Sequence, residues 1–458
     1  MMLNLPASMI TILVVFAPLF SRPVFKNGTL LMAGHFLTNG RRTLTNLLRR
    51  LGLQNEQKFT KYSYVIRKAK WSSVKASKIL FLLIVERLLP KDAPIEINID
   101  SHLNRRRGPK IKGLGIHRDA VASSKGRKVL SIGHNWLVAS IRLHIFGSKY
   151  KWSLPFLSYL LTPEQSLTSS RNSVDLKGKG RHKKMTKATS QIILQIRQWI
   201  GPGRVIVVVA DNAFACREIC KTCIKYQVIF CSQLRLDASL HDFPPIEKEK
   251  RRGRPRVAGK RLPNLNEILK DKNQKWERAL VPWYSGKTKC LDLLTGTCLW
   301  YHNSVGGVPI RWILTKDPEG NKKPLAILVT DLGLSNEQAI ALFVGRWSIE
   351  TAFQEINQHL GIERIHTWSD LSVNRTAPTI IASYSIACLI VHQAIKDTGI
   401  EIMPETASWY SKKTITFSDV MTYLRLLIMN SKNFTQSGKK VKCGKIYIQE
   451  IYRAMAYA

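Results

Sequence analysis

Acidic residues are scarce in this chain. Its 458 residues include 31 Asp and Glu against 71 Lys and Arg, a formal net charge of +40. A surplus of this size, spread along the whole sequence, predicts a polyanionic partner, and nucleic acid is the natural candidate. Ribosomal and scaffolding proteins share this balance, so the charge indicates the class of partner and leaves the activity open. The length predicts roughly two to four domains with at least one large core.

Several common site signatures are absent as well. No GxxxxGK[ST] loop occurs, which argues against a nucleotide hydrolase of the P-loop class. The eight Cys residues are scattered and show neither a disulfide framework nor zinc-finger spacing. Cys216, Cys220 and Cys223 have the spacing of a radical-SAM iron–sulfur site. The same three positions lie on one face of a helix, and we favour buried, reduced cytoplasmic thiols.

Long apolar runs are few. The first 20 residues are apolar but lack a basic start and a cleavage site, and they contain two prolines. Residues 376–395 are nearly long enough to cross a membrane, but they include Pro378 and several polar side chains. We predict that both segments are buried in a protein core and that the protein has no membrane partner.

The apolar pattern divides the chain into five parts. Residues 1–90 have helical periodicity with basic faces, which predicts a helical DNA-binding domain, and a solvated helical bundle is the alternative. Alternating strands and helices in residues 91–240 and 334–400 predict the two parts of an α/β catalytic core. Residues 241–333 predict a basic loop and a β-rich insertion. Residues 401–458 predict a C-terminal helical region.

One stretch, "FVGRWSIETAFQEINQHLG" at residues 343–361, has the periodicity of a single helix. Arg346, Glu350 and Asn357 line one stripe of this helix. The adjoining apolar stripe consists of Ile349, Phe353, Ile356 and Leu360. Taken alone, the polar stripe is also typical of a salt-bridged surface face. We predict that the apolar stripe docks on the sheet of the core.

Two further acids follow predicted strands. Asp100 ends the alternating stretch "PIEINID", and Asp211 ends the apolar run "VIVVVAD". Strand ends form the edge at which α/β sheets usually bind ligands, and the helix is expected to bring Glu350 there. Carboxylates that converge without a fixed cationic partner repel one another unless hard cations lie between them. The three acids therefore predict a site for two Mg²⁺ or Mn²⁺ ions and phosphodiester chemistry.

A basic stretch, "KRRGRPRV", precedes the insertion. Its "RGRP" core is similar to the AT-hook, which lies in the minor groove of DNA. Arg252, Arg254 and Arg256 are therefore predicted to bind DNA. A solvated basic loop that touches phosphate is the alternative.

Other polar and aromatic residues are assigned structural roles. Core packing is expected for Trp283, Trp300 and Trp312, and stacking on an extruded base is the alternative. Asp119 is expected to hold a turn, and His134 to lie in a strand.

The motifs together resemble the DDE transposases of bacterial insertion sequences, in the group with a Tyr-Arg-Glu-Lys signature and a β-rich insertion before the glutamate. The resemblance covers most of the chain. It includes "IDSHLNRRRGPKIKGLGIHRDAV", "VVVADNAFA" and "RWSIETAFQEINQHLGIERIHTWSD", in that order. It implies a ribonuclease H-like core, two divalent metal ions and double-stranded DNA partners, namely terminal inverted repeats and target DNA. It also implies a homodimer in the synaptic complex and a cytoplasmic, nucleoid-associated bacterial protein.

The resemblance assigns roles by position. The catalytic, metal-binding residues are then Asp100, Asp211 and Glu350. Arg346, one helical turn before the glutamate, would bind a phosphate near the cleavage point through its guanidinium fork. Phe343 replaces the Tyr of the signature, and Asn357 replaces its DNA-contacting Lys.

The function implied is metal-dependent DNA cleavage at the ends of an insertion sequence, followed by strand transfer into target DNA. The alternative is a catalytically inactive DNA-binding protein derived from a transposase. Asn357 keeps this alternative open, whereas the presence of all three acids argues against it.

Overall fold

The computed structural model describes residues 5–124, 126–162, 165–170, 173–179, 184–245, 256–404 and 406–431. The helices are α1 Ala7–Leu13, α2 Arg22–Leu37, α3 Leu44–Arg50, α4 Thr60–Arg67, α5 Ser73–Leu88, α6 Met185–Ile200, α7 Arg217–Lys225, α8 Leu265–Lys270, α9 Asn336–Gly345, α10 Trp347–Glu355, α11 Asp370–Thr398 and α12 Phe417–Met429. The strands are β1 Ile95–Arg105, β2 Gly115–Arg118, β3 Leu130–His144, β4 Lys151–Leu161, β5 Gln165–Ser170, β6 Ser173–Lys179, β7 Ile206–Ala210, β8 Val228–Leu234, β9 Leu240–His241, β10 Glu277–Pro282, β11 Thr288–Trp300, β12 Val308–Lys316 and β13 Leu325–Val329.

One large mixed sheet organises the described part of the chain. Its strand order is β10-β11-β12-β13-β8-β7-β1-β3-β2, with β4 also pairing with β3 and β9 with β11. β7 lies between β1 and β8 and is parallel to both, and all five of its residues are buried. An unbroken apolar run suits such a strand because both of its faces are covered. The mixed α/β fold class is confirmed.

The β-rich insertion continues this sheet. β13 pairs antiparallel with β8, from Ala326↔Leu234 to Val329↔Cys231. β12, β11 and β10 then follow outward in antiparallel hairpin order. The insertion therefore shares a hydrogen-bonded edge with the strand next to β7.

The N-terminal helices and α11 cover the other part of the sheet. α5 and α11 both pack on β4, and α1 packs on α11. α11 is long and apolar enough to cross a membrane, but 78% of its most apolar window is buried inside the protein. Met9 and Ile12 of α1 are likewise buried. The segment at 376–395 thus lies in the core, as predicted. The N-terminal segment is only partly buried: residues 1–4 lie outside the described residues, and Ile10 and Val14 are about half exposed.

Candidate functional site

Two of the predicted acids are neighbours on parallel strands. The pairing of β1 with β7 ends at Ile99↔Ala210, so Asp100 and Asp211 are the next residues on each strand. Adjacent strands lie about 4.8 Å apart, which brings the two carboxylates to one edge. Asp211 follows the last residue of β7, as predicted. The prediction that Asp100 ends a strand was wrong, because antiparallel pairing with β3 carries β1 on to Arg105.

The segment that carries Glu350 is less regular than predicted. α9 ends at Gly345, α10 begins at Trp347, and a π-helix at Ile356–Leu360 follows. Arg142 of β3 donates hydrogen bonds to the carbonyl oxygens of Ala341 and Leu342, and a Cβ atom on Gly345 would overlap its guanidinium. A buried cation thus satisfies the end of α9, so the prediction of one continuous helix was wrong.

The apolar stripe of this segment docks as predicted. Ile349, Ile356 and Leu360 are almost completely buried. The first turn of α10 is fixed to the sheet by Asn98 of β1, whose side-chain amide donates hydrogen bonds to Ser153 Oγ at 2.8 Å and to Ser348 Oγ at 3.1 Å. The docked stripe and these polar contacts together set the position of Glu350.

Arg346 joins two of the three acids. Its Nη1 atom lies 3.0 Å from Asp100 Oδ2, and its Nη2 atom lies 2.8 Å from Glu350 Oε1. The prediction that the acids have no fixed cationic partner was therefore wrong. Burial raises the pKa of Asp100 to about 6, Arg346 opposes this shift, and the charges of Asp211 and Glu350 add to it. All three carboxylates consequently belong to one electrostatic unit.

The donor set of this unit has the chemistry of a hard-cation site. Carboxylate oxygens are the ligands that Mg²⁺ and Mn²⁺ prefer, and Asp100, Asp211 and Glu350 supply three of them. Within the described residues, no group of three or more His, Cys, Asp or Glu side chains is arranged to hold a metal ion as it stands. The acids fit the metal by charge and ligand type, while Arg346 occupies the position between Asp100 and Glu350.

Asn357 lies in the π-helix and approaches His102 of β1. Burial lowers the pKa of His102 to about 4, and interaction with Asn357 partly opposes this shift. The His102 ring also packs against Phe353, with 4.8 Å between ring centroids, and Asn357 Oδ1 is buried. A neutral side chain suits this environment because an ammonium group would lose its hydration there. The contact of Asn357 with DNA stays a prediction.

We expect Asn357→Lys to lower the free energy of unfolding by about 1–3 kcal/mol, since it places a charge beside a buried neutral imidazole. The matched control is Gln358→Lys, at the exposed adjacent position, with an expected change within about 0.5 kcal/mol. Urea unfolding followed by circular dichroism measures both. Equal stability of the two variants would mean that the position 357 side chain reaches solvent.

The remaining predicted DNA contacts are only partly within the described residues. Arg252 and Arg254 lie outside them, and Arg256 is exposed. Their roles stay predictions.

An aromatic group borders the acids, and the sequence analysis singled out only Trp283 of its three members. Tyr284 contacts Trp283 and Trp347, with ring centroids 5.1 and 6.0 Å apart, and the charges of Arg346 and Glu350 both act on it. Trp347 directly follows Arg346, which is the one sequence signal for its location. Core packing is confirmed for two tryptophans of the insertion, which are 8% exposed: Trp300 and Trp312.

Other candidates from the sequence have structural roles. Cys220 and Cys223 are buried on α7, and burial raises the pKa of Cys216 to about 11, so these thiols are neutral and packed. Asp119 accepts hydrogen bonds from Arg105 and Ser131. His134 is buried in β3, as predicted.

Asp100 and Asp211 lie where the parallel pairing of a mixed sheet ends, which is the kind of edge at which α/β enzymes bind ligands. Residues 15–288, more than half of the chain, match the family model of the DDE superfamily endonucleases. The chain belongs to this family, and its core is ribonuclease H-like. The matched range includes Asp100 and Asp211 and ends before Glu350.

One similar solved structure is the cryo-EM structure of a piggyBac transposase synaptic complex with hairpin DNA. It has 12% sequence identity and a TM-score of 0.42, over 94% of this chain and 77% of that chain. Among curated proteins, none matches this chain significantly.

Proposed function

We propose that this chain is a transposase that cleaves DNA at the ends of a mobile element and joins those ends to target DNA. One observation carries the proposal. Asp100 and Asp211 follow paired residues of two parallel strands, and Arg346 joins Asp100 to Glu350. Three carboxylates held in one charge-coupled group suit metal-dependent phosphodiester chemistry in a DDE endonuclease.

The three acids are proposed as ligands of two Mg²⁺ or Mn²⁺ ions. Ions bound there would activate a water molecule or a 3′-hydroxyl and neutralise charge on the phosphate. The chain's own contribution is positioning. The strand pairing fixes Asp100 and Asp211, and the contact between Asn98 and Ser348 fixes the start of α10. Cleavage and strand transfer are both in-line phosphoryl transfers, which depend chiefly on such pre-arranged charge.

DNA binding is proposed for the basic surface as a whole. A net charge of +40 supports strong, salt-dependent binding to phosphates. Arg346 is the proposed DNA contact near the cleavage point. The basic stretch is proposed to bind the flanking duplex through Arg252, Arg254 and Arg256. Asn357 is proposed to lie near this path, and the N-terminal helices to contribute further contacts.

The finer assignment is to the bacterial insertion-sequence transposases with the Tyr-Arg-Glu-Lys signature. Phe343, at the Tyr position, is 6% exposed and packs in the core. An aromatic ring contributes to packing there, whereas a buried hydroxyl would need a hydrogen-bond partner. We further propose terminal inverted repeats and target DNA as partners, a homodimer in the synaptic complex, and a nucleoid-associated location in the bacterial cytoplasm.

The test is nicking of a supercoiled plasmid that carries the element's own flanking ends. We expect cleavage with Mg²⁺ or Mn²⁺, none with EDTA, and none by Asp211→Asn, which keeps the side-chain shape and removes its charge. Gel-shift binding of the same ends should be retained by the variant. If wild type and variant bind equally and neither cuts, the protein is a DNA-binding derivative of a transposase, and the proposal is wrong.

A further inference from the structure

Arg346 lies at the centre of the acidic group. Its guanidinium bridges Asp100 and Glu350, the charge of Asp211 also acts on it, and only 13% of its side chain is exposed. A single positive charge therefore already neutralises part of the site. A divalent cation approaching the same oxygens would meet this charge at close range, in surroundings that screen it weakly.

The side chain of Arg346 is held less completely than its backbone. The backbone amide donates to the Phe343 carbonyl oxygen at 3.2 Å, within the ordered junction of α9 and α10. The Nε atom, in contrast, is buried and has no hydrogen-bond partner among the described residues. Arg142 provides a comparison, since its guanidinium is fixed by both a carboxylate and two carbonyl oxygens. Among the described residues, the guanidinium of Arg346 is thus held by the two carboxylates alone, without the carbonyl contacts that fix Arg142.

The site is open on the side of Trp347. This residue follows Arg346 and is 52% exposed, and Tyr284 beside it is 36% exposed. A DNA phosphate arriving there would offer the guanidinium the same bidentate geometry as a carboxylate.

We propose that Arg346 holds the place of a metal ion until a DNA phosphate draws its guanidinium away from Asp100 and Glu350. This inference rests on the proposed function, because it assumes that the acids bind metal. The exchange leaves two carboxylates close together without their cation, and the repulsion between them then favours divalent metal. Metal and DNA consequently strengthen each other's binding by the same factor. The protein without DNA keeps its site largely metal-free and inactive.

The first measurement is Mn²⁺ binding followed by electron paramagnetic resonance, without DNA. We expect Arg346→Gln to bind Mn²⁺ at least about tenfold more tightly than wild type, because the competing charge is gone. Arg346→Lys retains the charge and should stay close to wild type. Arg278→Gln, which removes a positive charge from an exposed ion pair on β10, is the matched control and should leave the affinity unchanged. Melting curves establish that all variants are folded.

The second measurement adds a short duplex with the element's end sequence. DNA should raise the Mn²⁺ affinity of wild type about tenfold more than that of Arg346→Gln, because only wild type has a cation to displace. An equal rise in both proteins would mean that DNA merely supplies an extra ligand, and it would overturn the proposal. Equal affinity of the two proteins without DNA would overturn it as well.

Asp211→Asn separates this inference from the proposed function. If wild type and Arg346→Gln bind Mn²⁺ equally and both lose it on Asp211→Asn, the acids are a metal site and the place-holding role of Arg346 is wrong. If no variant binds Mn²⁺ with or without DNA, the proposed metal-dependent function itself is wrong.

Discussion

Glu350→Gln is expected to slow metal-dependent DNA cleavage by at least about a hundredfold. Loss of a residue that only supports a metal ligand typically lowers metal affinity or activity about 10–100-fold, and loss of Glu350, a proposed ligand, should exceed that. Glutamine keeps the length and shape of the side chain. It removes the negative charge that faces Arg346 and that raises the pKa of Asp100. The measurement is the single-turnover cleavage rate on a plasmid with the element's ends.

Glu355→Gln is the matched control for this variant. Glu355 lies on the same helix, and its ion pair is with His359 rather than with Arg346. We expect its cleavage rate to equal that of wild type. A cleavage rate for Glu350→Gln close to that of the control would exclude Glu350 from the proposed metal ligands, whatever the behaviour of the two aspartates.

The largest expected loss of stability follows from Arg142→Ala, at about 3–5 kcal/mol in the free energy of unfolding. The Arg142 side chain is 5% exposed and lies 2.5 Å from Glu96 Oε2. Removing it leaves a half-paired carboxylate in the sheet and two carbonyl oxygens at the end of α9 without their donor. Since Arg346 directly follows the last residue of α9, the same change should also disorder the three acids proposed to bind metal.

The control is Arg278→Ala, which breaks an ion pair with Asp292 in which the Arg278 side chain is 65% exposed. Exposed pairs contribute about 0–1 kcal/mol, so this loss should be small. Urea unfolding at neutral pH measures both variants. A loss below about 1 kcal/mol for Arg142→Ala would show that the end of α9 does not depend on this side chain.

The effect of Arg142→Ala should also depend on pH. Burial raises the pKa of Glu96, but Arg142 and Lys151 outweigh it, so the pKa lies below the ordinary 4.5. A carboxyl group with a lowered pKa stabilises the folded state above its ordinary pKa, and this stabilisation is lost as the pH falls through the lowered value. The difference between wild type and Arg142→Ala should therefore shrink in acid, below about pH 4.

The sequence predicted those parts of the fold that depend on local pattern. The apolar run before Asp211 indicated a strand buried on both faces, and the apolar stripe from Ile349 to Leu360 indicated a docked helical face. Both predictions are confirmed because each depends on residues close together in the chain. The spacing of Arg346 and Glu350 likewise predicted neighbours on one helical stripe, and the two side chains form an ion pair.

The features that the sequence could not predict depend on residues far apart in the chain. β1 extends past Asp100 because β3 pairs with it, and α9 ends at Gly345 because Arg142 reaches it from β3. No periodicity encodes either contact. The same holds for Arg346, whose second partner is Asp100, 246 positions away. His102 was missed for the same reason, because its contact with Asn357 joins β1 to the distant π-helix.

The continuity of the sheet through β13 and β8 gives the insertion a protective role. β8 has β7 on one side, and on the other it offers a row of backbone amide and carbonyl groups that β13 pairs with. A strand with such a row unpaired is a template for joining other chains, and natural proteins cover it. β8 also has buried apolar side chains, namely Val228, Phe230 and Cys231. An uncovered β8 would therefore expose apolar surface as well as unpaired backbone groups. The insertion thus covers the edge of the sheet that would otherwise pair with other chains, and we expect its removal to lower solubility.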